Sequence, residues 1–264
     1  MMNGNKRVIR REARIHGERW ASVHQGYFSD TAAARPYLAE VEAAVFESNP
    51  AVLVDLGGGT GLILDALIQR GLDSAIRVVN MDLSPVQLQE VPDQRIDSVQ
   101  VSADAFLRSA IDRDDKRFLL IARSLLHYMG NEGLMPFLSH LRAQMRTGEY
   151  FVHQSACFES PHDAERLNRL YTLMGTTKRF YSNDVIKTRL DQAGLFVKSA
   201  HPAPPLLFAS EELMERYGIS KAEMIGICGQ LAEEFGETPG VFELTPNGFH
   251  AQLHYFIYTC VAVR

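Results

Sequence analysis

The segment Val54-Asp55-Leu56-Gly57-Gly58-Gly59-Thr60-Gly61 is the first place where residue types and spacing suggest chemistry. Close approach of a ligand to backbone needs residues without a Cβ, and a sharp strand-to-helix turn needs positive φ. Gly57, Gly58, Gly59 and Gly61 meet both needs directly after an apolar run, with the acid Asp55 at the head of the loop. A dinucleotide fingerprint would require GxGxxG, whereas here the glycines alternate at 57, 59 and 61 and Leu62 follows, which disfavours a nicotinamide cofactor. Two more acids, Asp82 and Asp104, follow at intervals of 27 and 22 residues, each close to one β-α-β step. Either alone could merely cap a helix. Together with Asp55 they fall at successive strand ends, the edge at which ligands bind in open parallel sheets.

To place these acids side by side, strand and helix must alternate, and the hydropathy pattern does so. Apolar residues at helical spacing predict a helix from Thr31 to Ser48, broken by Asn49-Pro50. Strands are expected at Ala51 to Leu56, Ile76 to Met81, Ser98 to Ser102, Phe118 to Leu126 and Glu149 to Ala156. Helices are expected at Gly61 to Arg70, after Ser84-Pro85, through Leu134 to Met145, over Asp163 to Gly175, and from the Ser182-Asn183-Asp184 cap to Gly194. A strand at Leu195 to Ala200 follows, and then three prolines within His201 to Pro205 interrupt the pattern. Ser210 to Phe235 reads as one or two helices broken at Gly218 and Gly226, and Tyr255 to Val263 as a last buried strand. The reading is an α/β protein with a mostly parallel sheet covered on both faces. It is expected to form one domain over 1–264: a helical cap at 1–48, a core at 49–200, a helical insert at 201–253 and the last strand at 254–264.

The motif of an acid, any residue, then alternating glycines resembles the first motif of the class I S-adenosylmethionine-dependent methyltransferases. That resemblance covers about residues 50–200 and implies a Rossmann-like, doubly wound, seven-stranded sheet with an antiparallel last strand. It also implies S-adenosylmethionine as cofactor and S-adenosylhomocysteine as product. In that family the loop backbone lies against the methionine part of the cofactor, and the motif acid, here Asp55, approaches its amine. An acid at the end of the next strand, here Asp82 followed by Leu83, accepts from the two ribose hydroxyls; its two acceptor oxygens suit a vicinal diol. An Asp after strand three, here Asp104 with Ala105 behind it, lies beside the adenine amino group.

The segment Arg123-Ser124-Leu125-Leu126-His127-Tyr128-Met129 is similar to the strand end of O-methyltransferases of the Leu-His-Asp-Trp type. The resemblance implies that His127 removes the acceptor hydroxyl proton and that Arg123, four residues earlier, lies by the cofactor. Tyr128 and Met129 stand where that family has Asp-Trp. The alternative for His127 is a helix-initial histidine bonded to backbone or packed in the core. Transfer from a sulfonium asks the protein mainly for positioning and proton removal, and an imidazole with ordinary pKa near 6.5 suits the latter.

Other features narrow the acceptor. The Pro-Pro-aromatic signature of base amino methylation is missing from the fourth strand, as are a Pro-Cys nucleophile and the metal-binding Asp of catechol-type enzymes. The nine histidines form no HExxH or similar cluster, so no metal is expected. A net charge of −5 argues against affinity built on neutralising many phosphates, hence against nucleic acid. The local excess of Lys6, Arg7, Arg10, Arg11, Arg14 and Arg19 reads as a solvated helix face, with a phosphate-binding arm as the alternative. Three widely spaced cysteines without a CxxC pair suit a reducing cytoplasm. No apolar run reaches the roughly 18–20 residues of a membrane span, and the first twenty or so residues lack the apolar segment of a secretory signal. Trp20, Tyr27, Phe28, Tyr171, Met174, Phe180 and Tyr181 are candidates for the wall of an apolar acceptor pocket, or for ordinary core.

The expectation is methyl transfer to a small organic acceptor, at a hydroxyl oxygen. Its rivals are a methyltransferase acting on RNA or protein, and a non-catalytic accessory protein of the same fold.

Overall fold

The computed structural model describes residues 26–112 and 114–264; Trp20 and the basic run from Lys6 to Arg19 lie outside the described residues. Helix α1 (Thr31–Ser48) starts where Asp30 accepts from the Ala32 N–H at 2.7 Å, and it stops where Asn49 enters the left-handed region at φ 44°. Then come β1 (Val52–Leu56), α2 (Leu62–Gln69), β2 (Arg77–Asp82), α3 (Pro85–Gln89), β3 (Ile96–Gln100), α4 (Arg108–Ile111) and β4 (Phe118–Arg123). The second half contributes α5 (Gly130–Gln144), β5 (Tyr150–Phe158), α6 (Pro161–Leu173), β6 (Tyr181–Ser182), α7 (Asn183–Gln192) and β7 (Leu195–Ala209). The chain ends with α8 (Ser210–Tyr217), α9 (Lys221–Phe235), β8 (Phe242–Thr245) and β9 (Gly248–Ala262).

The sheet runs β3-β2-β1-β4-β5-β9-β7, with β6 beside β5 and β8 beside β9. The first five of these strands are mutually parallel, and β9 is antiparallel to both neighbours. The strand order turns around β1: β2 and β3 lie to one side, β4 and β5 to the other. A crevice therefore opens beyond the C-terminal end of β1, where the glycine loop begins.

Alternation along the strands shows why both faces are covered. Val52, Val54 and Leu56 of β1 enter one core with Phe118, Leu120 and Leu138, while Leu53 enters the other with Ile121, Val152 and Leu38 of α1. Tyr37 fastens α1 across the sheet: its hydroxyl donates to the Ala122 and Val152 carbonyls at 3.0 and 3.1 Å. A third apolar cluster joins α6, α8 and α9 to the far halves of β7 and β9 through Leu167, Phe208, Leu213, Met224 and Phe249.

The insert differs from its expected bounds. Expected to begin at residue 201, it begins at Ser210, because β7 runs on through Pro202, Pro204 and Pro205 to Ala209. β7 is the sheet edge, where a missing N–H breaks no ladder, and its register shifts between Ala203 and Leu206 absorb the prolines. The insert is also not purely helical. Gly218 separates α8 from α9, Gly226 lies within α9 without interrupting it, and β8 forms a hairpin with the start of β9. The last strand consequently begins at Gly248 rather than at residue 254. Among the described residues, no helix is long and apolar enough to cross a membrane.

Candidate cofactor site

The loop after β1 is held by its neighbour strand. Gly57 and Gly58 donate their N–H groups to the Met81 carbonyl at 2.7 and 3.2 Å. Gly59, at φ 58°, is gripped from both sides: its N–H donates to Asp82 Oδ2 at 3.0 Å, and its carbonyl accepts from Asn80 Nδ2 at 2.8 Å. Gly58 is needed for a different reason. A Cβ there would stand 2.2 Å from Asn80 Oδ1 and 2.6 Å from the Asp55 carboxyl.

This loop forms one wall of a cavity of about 490 Å³. Asp55, Gly57, Gly58, Gly59, Asp82, Leu83, Asp104 and Arg123 of the expected site residues all line it. Gly61 and Ala105 are not part of the lining: Gly61 caps α2, and Ala103 faces the cavity in place of Ala105.

The two carboxylates nearest the loop differ in how they are satisfied. Each oxygen of Asp82 is held by a backbone donor, with Oδ1 accepting from the Ser84 N–H at 2.8 Å and Oδ2 from the Gly59 N–H. Burial nonetheless holds its pKa above the ordinary value. Asp55 is 1% exposed, and neither of its oxygens accepts a hydrogen bond among the described residues. Burial, then the charge of Asp82, push its carboxyl up to about 7, with Arg123 pulling the other way. A buried acceptor pair without a donor, facing a cavity, calls for a cationic or N–H-bearing ligand group.

Arg123 closes the cavity at the end of β4. Its guanidinium lies 5.2 and 5.4 Å from the ring centres of Tyr27 and Phe28, and Nη2 donates to the Tyr27 carbonyl at 3.3 Å. Ser124, next along, adopts φ 60°, a conformation rare for a residue with a Cβ, and its hydroxyl is 2.8 Å from that of Tyr255.

His127 does not face the large cavity. It sits in the short turn Leu126–Met129, 5% exposed, and stacks on Phe180 with centres 5.5 Å apart. There it lines a second, smaller cavity of about 20 Å³. Phe28, Ser124 and Tyr128 line both cavities and so mark their junction. Among the expected pocket aromatics, Tyr171 and Phe180 line the small cavity, while Tyr27 stacks on Tyr255 at 5.7 Å. Met174 and Tyr181 are core residues instead; the Tyr181 hydroxyl donates to the Gly130 carbonyl at 2.8 Å.

Sequence reasoning missed Asn80, Gln87, Ser102 and His140. Asn80, fully buried, sets the loop, and its signal was a polar residue in the otherwise apolar strand Val78-Val79-Asn80-Met81. The other three line the large cavity, and nothing in their local sequence marks them. Among the described residues, no group of three or more His, Cys, Asp or Glu side chains converges to hold a metal ion.

No protein-family model matches the chain, and no curated protein matches it in sequence. Solved structures do. A Bacillus halodurans protein provisionally assigned as a methyltransferase superposes with a TM-score of 0.61 at 14% identity, over 81% of this chain and 93% of that one. The Burkholderia thailandensis 1,6-didemethyltoxoflavin-N1-methyltransferase, solved with its substrate and S-adenosylhomocysteine, gives 0.52 at 18% identity over 96% and 89%. A provisionally assigned methyltransferase solved with the Haloferax volcanii Trm112 activator gives 0.52 at 15% identity over 91% and 98%. In its strand order, its antiparallel penultimate strand and its likeness to these structures, the chain has the class I methyltransferase fold.

Proposed function

We propose that this chain binds S-adenosylmethionine in the large cavity and transfers its methyl group to a small organic acceptor, at a hydroxyl oxygen. The observation that carries the reading is Asp55, a buried carboxylate with no hydrogen-bond donor among the described residues, facing a glycine-walled cavity. The α-ammonium of the cofactor is a donor of the right charge for it. The Asp82 carboxylate, with lone pairs beyond the two that its backbone donors use, would accept from a ribose diol. Asp104, exposed on the turn after β3, would meet the adenine amino group.

The bound cofactor supplies an electrophilic methyl on a positively charged sulfur. The protein's share is then to orient the acceptor in line and to remove its proton. His127 is the proposed base. It lines the small cavity and lies one junction away from the large one, so an acceptor hydroxyl at Ser124 and Tyr128 would come between the imidazole and the methyl donor.

The test is to incubate the protein with methyl-labelled S-adenosylmethionine and a cell extract, then separate small molecules, RNA and protein. Label in the small-molecule fraction, on oxygen, is expected. Label confined to RNA or protein would overturn the acceptor class.

A further inference from the structure

Asp55 and Asn80 are register partners in the parallel pairing of β1 with β2, so their side chains leave the sheet on the same face. Both are buried. A Cβ on Gly58 would stand 2.2 Å from Asn80 Oδ1 and 2.6 Å from Asp55 Oδ2, which gathers the two oxygens around one point.

Three acceptors meet there without a donor: Asp55 Oδ1, Asp55 Oδ2 and Asn80 Oδ1 accept no hydrogen bond among the described residues. The neighbouring donors are committed elsewhere. The N–H groups of Gly57 and Gly58 go to the Met81 carbonyl, that of Gly59 to Asp82 and that of Gly61 to the Gly58 carbonyl. On α1 the Tyr37 hydroxyl donates to the Ala122 and Val152 carbonyls, and on β4 Arg123 Nη2 donates to the Tyr27 carbonyl. Turning the Asn80 amide would not help, because Nδ2 holds the Gly59 carbonyl and the turned amide would set oxygen against oxygen. Of the titratable groups around the carboxyl, Asp82 opposes its ionisation, Arg123 favours it, and Tyr37 is itself kept neutral by burial. Buried acceptors gathered this closely need a donor between them, and the donor a carboxyl can supply is its own proton.

We propose that in the free protein the Asp55 carboxyl is protonated and donates to Asn80 Oδ1, and that the ammonium of the bound cofactor displaces this proton. The exchange rests on the proposed reading of the large cavity as the cofactor site. The Asp55 O–H bond breaks, the proton leaves to water, and the carboxylate accepts from the ammonium, which keeps its own charge. Asp55 can serve both states because it lines the cavity, whereas Asn80 does not. Asn80 is a positioning residue twice over: Nδ2 holds the loop and Oδ1 holds the proton. The empty site is thereby neutral, and it becomes charged only for a cationic ligand.

Side-chain carbon NMR of the whole free chain, labelled at Asp and Asn, reads both partners, with Asp55 assigned by its loss in Asp55→Asn. In wild type the Asp55 carboxyl and Asn80 amide carbons are expected to move together, with one midpoint above about pH 6. Asn80→Leu and Asn80→Asp both remove the donor to Gly59, yet they should shift the Asp55 midpoint in opposite directions. It falls by about one unit when the acceptor is lost and rises when a second carboxyl replaces it. Equal shifts in the two variants would leave Asn80 as a support for the loop and overturn the inference. In wild type alone, an Asp55 already ionised at about pH 6, or an Asn80 signal that ignores its titration, would do the same. Calorimetry at about pH 6 in buffers of different ionisation enthalpy then reads the exchange, and S-adenosylhomocysteine should release close to one proton from wild type. Binding without release would overturn the exchange. No binding would overturn the methyltransferase reading, while the titration of the free protein would still decide whether Asp55 and Asn80 share a proton.

Discussion

Asp82 accepts a hydrogen bond from the Gly59 N–H at 3.0 Å, so the acid that ends β2 also fixes the glycine loop that follows β1. The same carboxylate shapes the loop and faces the cavity. Its replacement should be read with two variants. Asp82→Asn keeps an acceptor for Gly59 but removes the charge, and S-adenosylmethionine affinity by calorimetry is expected to fall roughly 10- to 100-fold, the ~1.5–3 kcal/mol of a charged hydrogen bond. Asp82→Ala should also lower stability by about 1 kcal/mol through the lost bonds to Gly59 and Ser84. Unchanged affinity in both variants would remove Asp82 from the site.

Asp55 makes two pH predictions. Its folded pKa of about 7 lies above the ordinary 3.8, so the folded chain holds the extra proton between those values. Stability from this group is fully present below about pH 4 and is lost as pH rises through 7. Asp55→Asn removes that loss, and the free protein should gain a few kcal/mol at pH 8 in denaturant unfolding. Cofactor binding moves the other way. An ammonium beside Asp55 favours the ionised form, so wild-type affinity should fall by up to about tenfold per unit as pH drops below 7. A flat affinity between pH 5.5 and 7 would separate Asp55 from the ligand.

Gly58→Ala should damage the loop more than a single methyl suggests. The added Cβ meets Asn80 Oδ1 at 2.2 Å, and Asn80 is the donor that holds the Gly59 carbonyl. A stability loss of about 1–3 kcal/mol is expected, with cofactor binding reduced at least tenfold. Wild-type values in both assays would show that the loop is softer than its contacts imply.

For His127→Ala the expectation is a methylation rate lower by about 10²–10⁴ with cofactor affinity unchanged. An undiminished rate would leave His127 as a core residue stacked on Phe180.

What the sequence made legible follows from how local each feature is. Asp55 and its glycines are contiguous, and Asp82 and Asp104 each sit where an apolar strand ends, so all three could be placed by counting. The small cavity could not. Phe28, Ser124, Lys178, Arg216 and Tyr255 come from five separate segments of the chain, and only tertiary packing, which no local periodicity encodes, brings them to one cavity. The continuation of β7 through three prolines was hidden for the opposite reason: local chemistry forbids a central strand there, and only the tertiary position at the sheet edge permits it. Asn80 shows a third case, a visible polar residue whose partner, the Gly59 carbonyl, lies on another strand's loop.

The central claim is that the cavity beside Asp55 binds S-adenosylmethionine, and thermal unfolding of the whole chain with the cofactor or its demethylated product measures it directly. At about 100 times its Kd, a ligand specific for the folded state adds about 2.7 kcal/mol, a rise in Tm of several degrees for a chain of this size. The account predicts that rise for wild type with both compounds, and its loss at pH 7.5 in Asp55→Asn. No rise with either compound would contradict it.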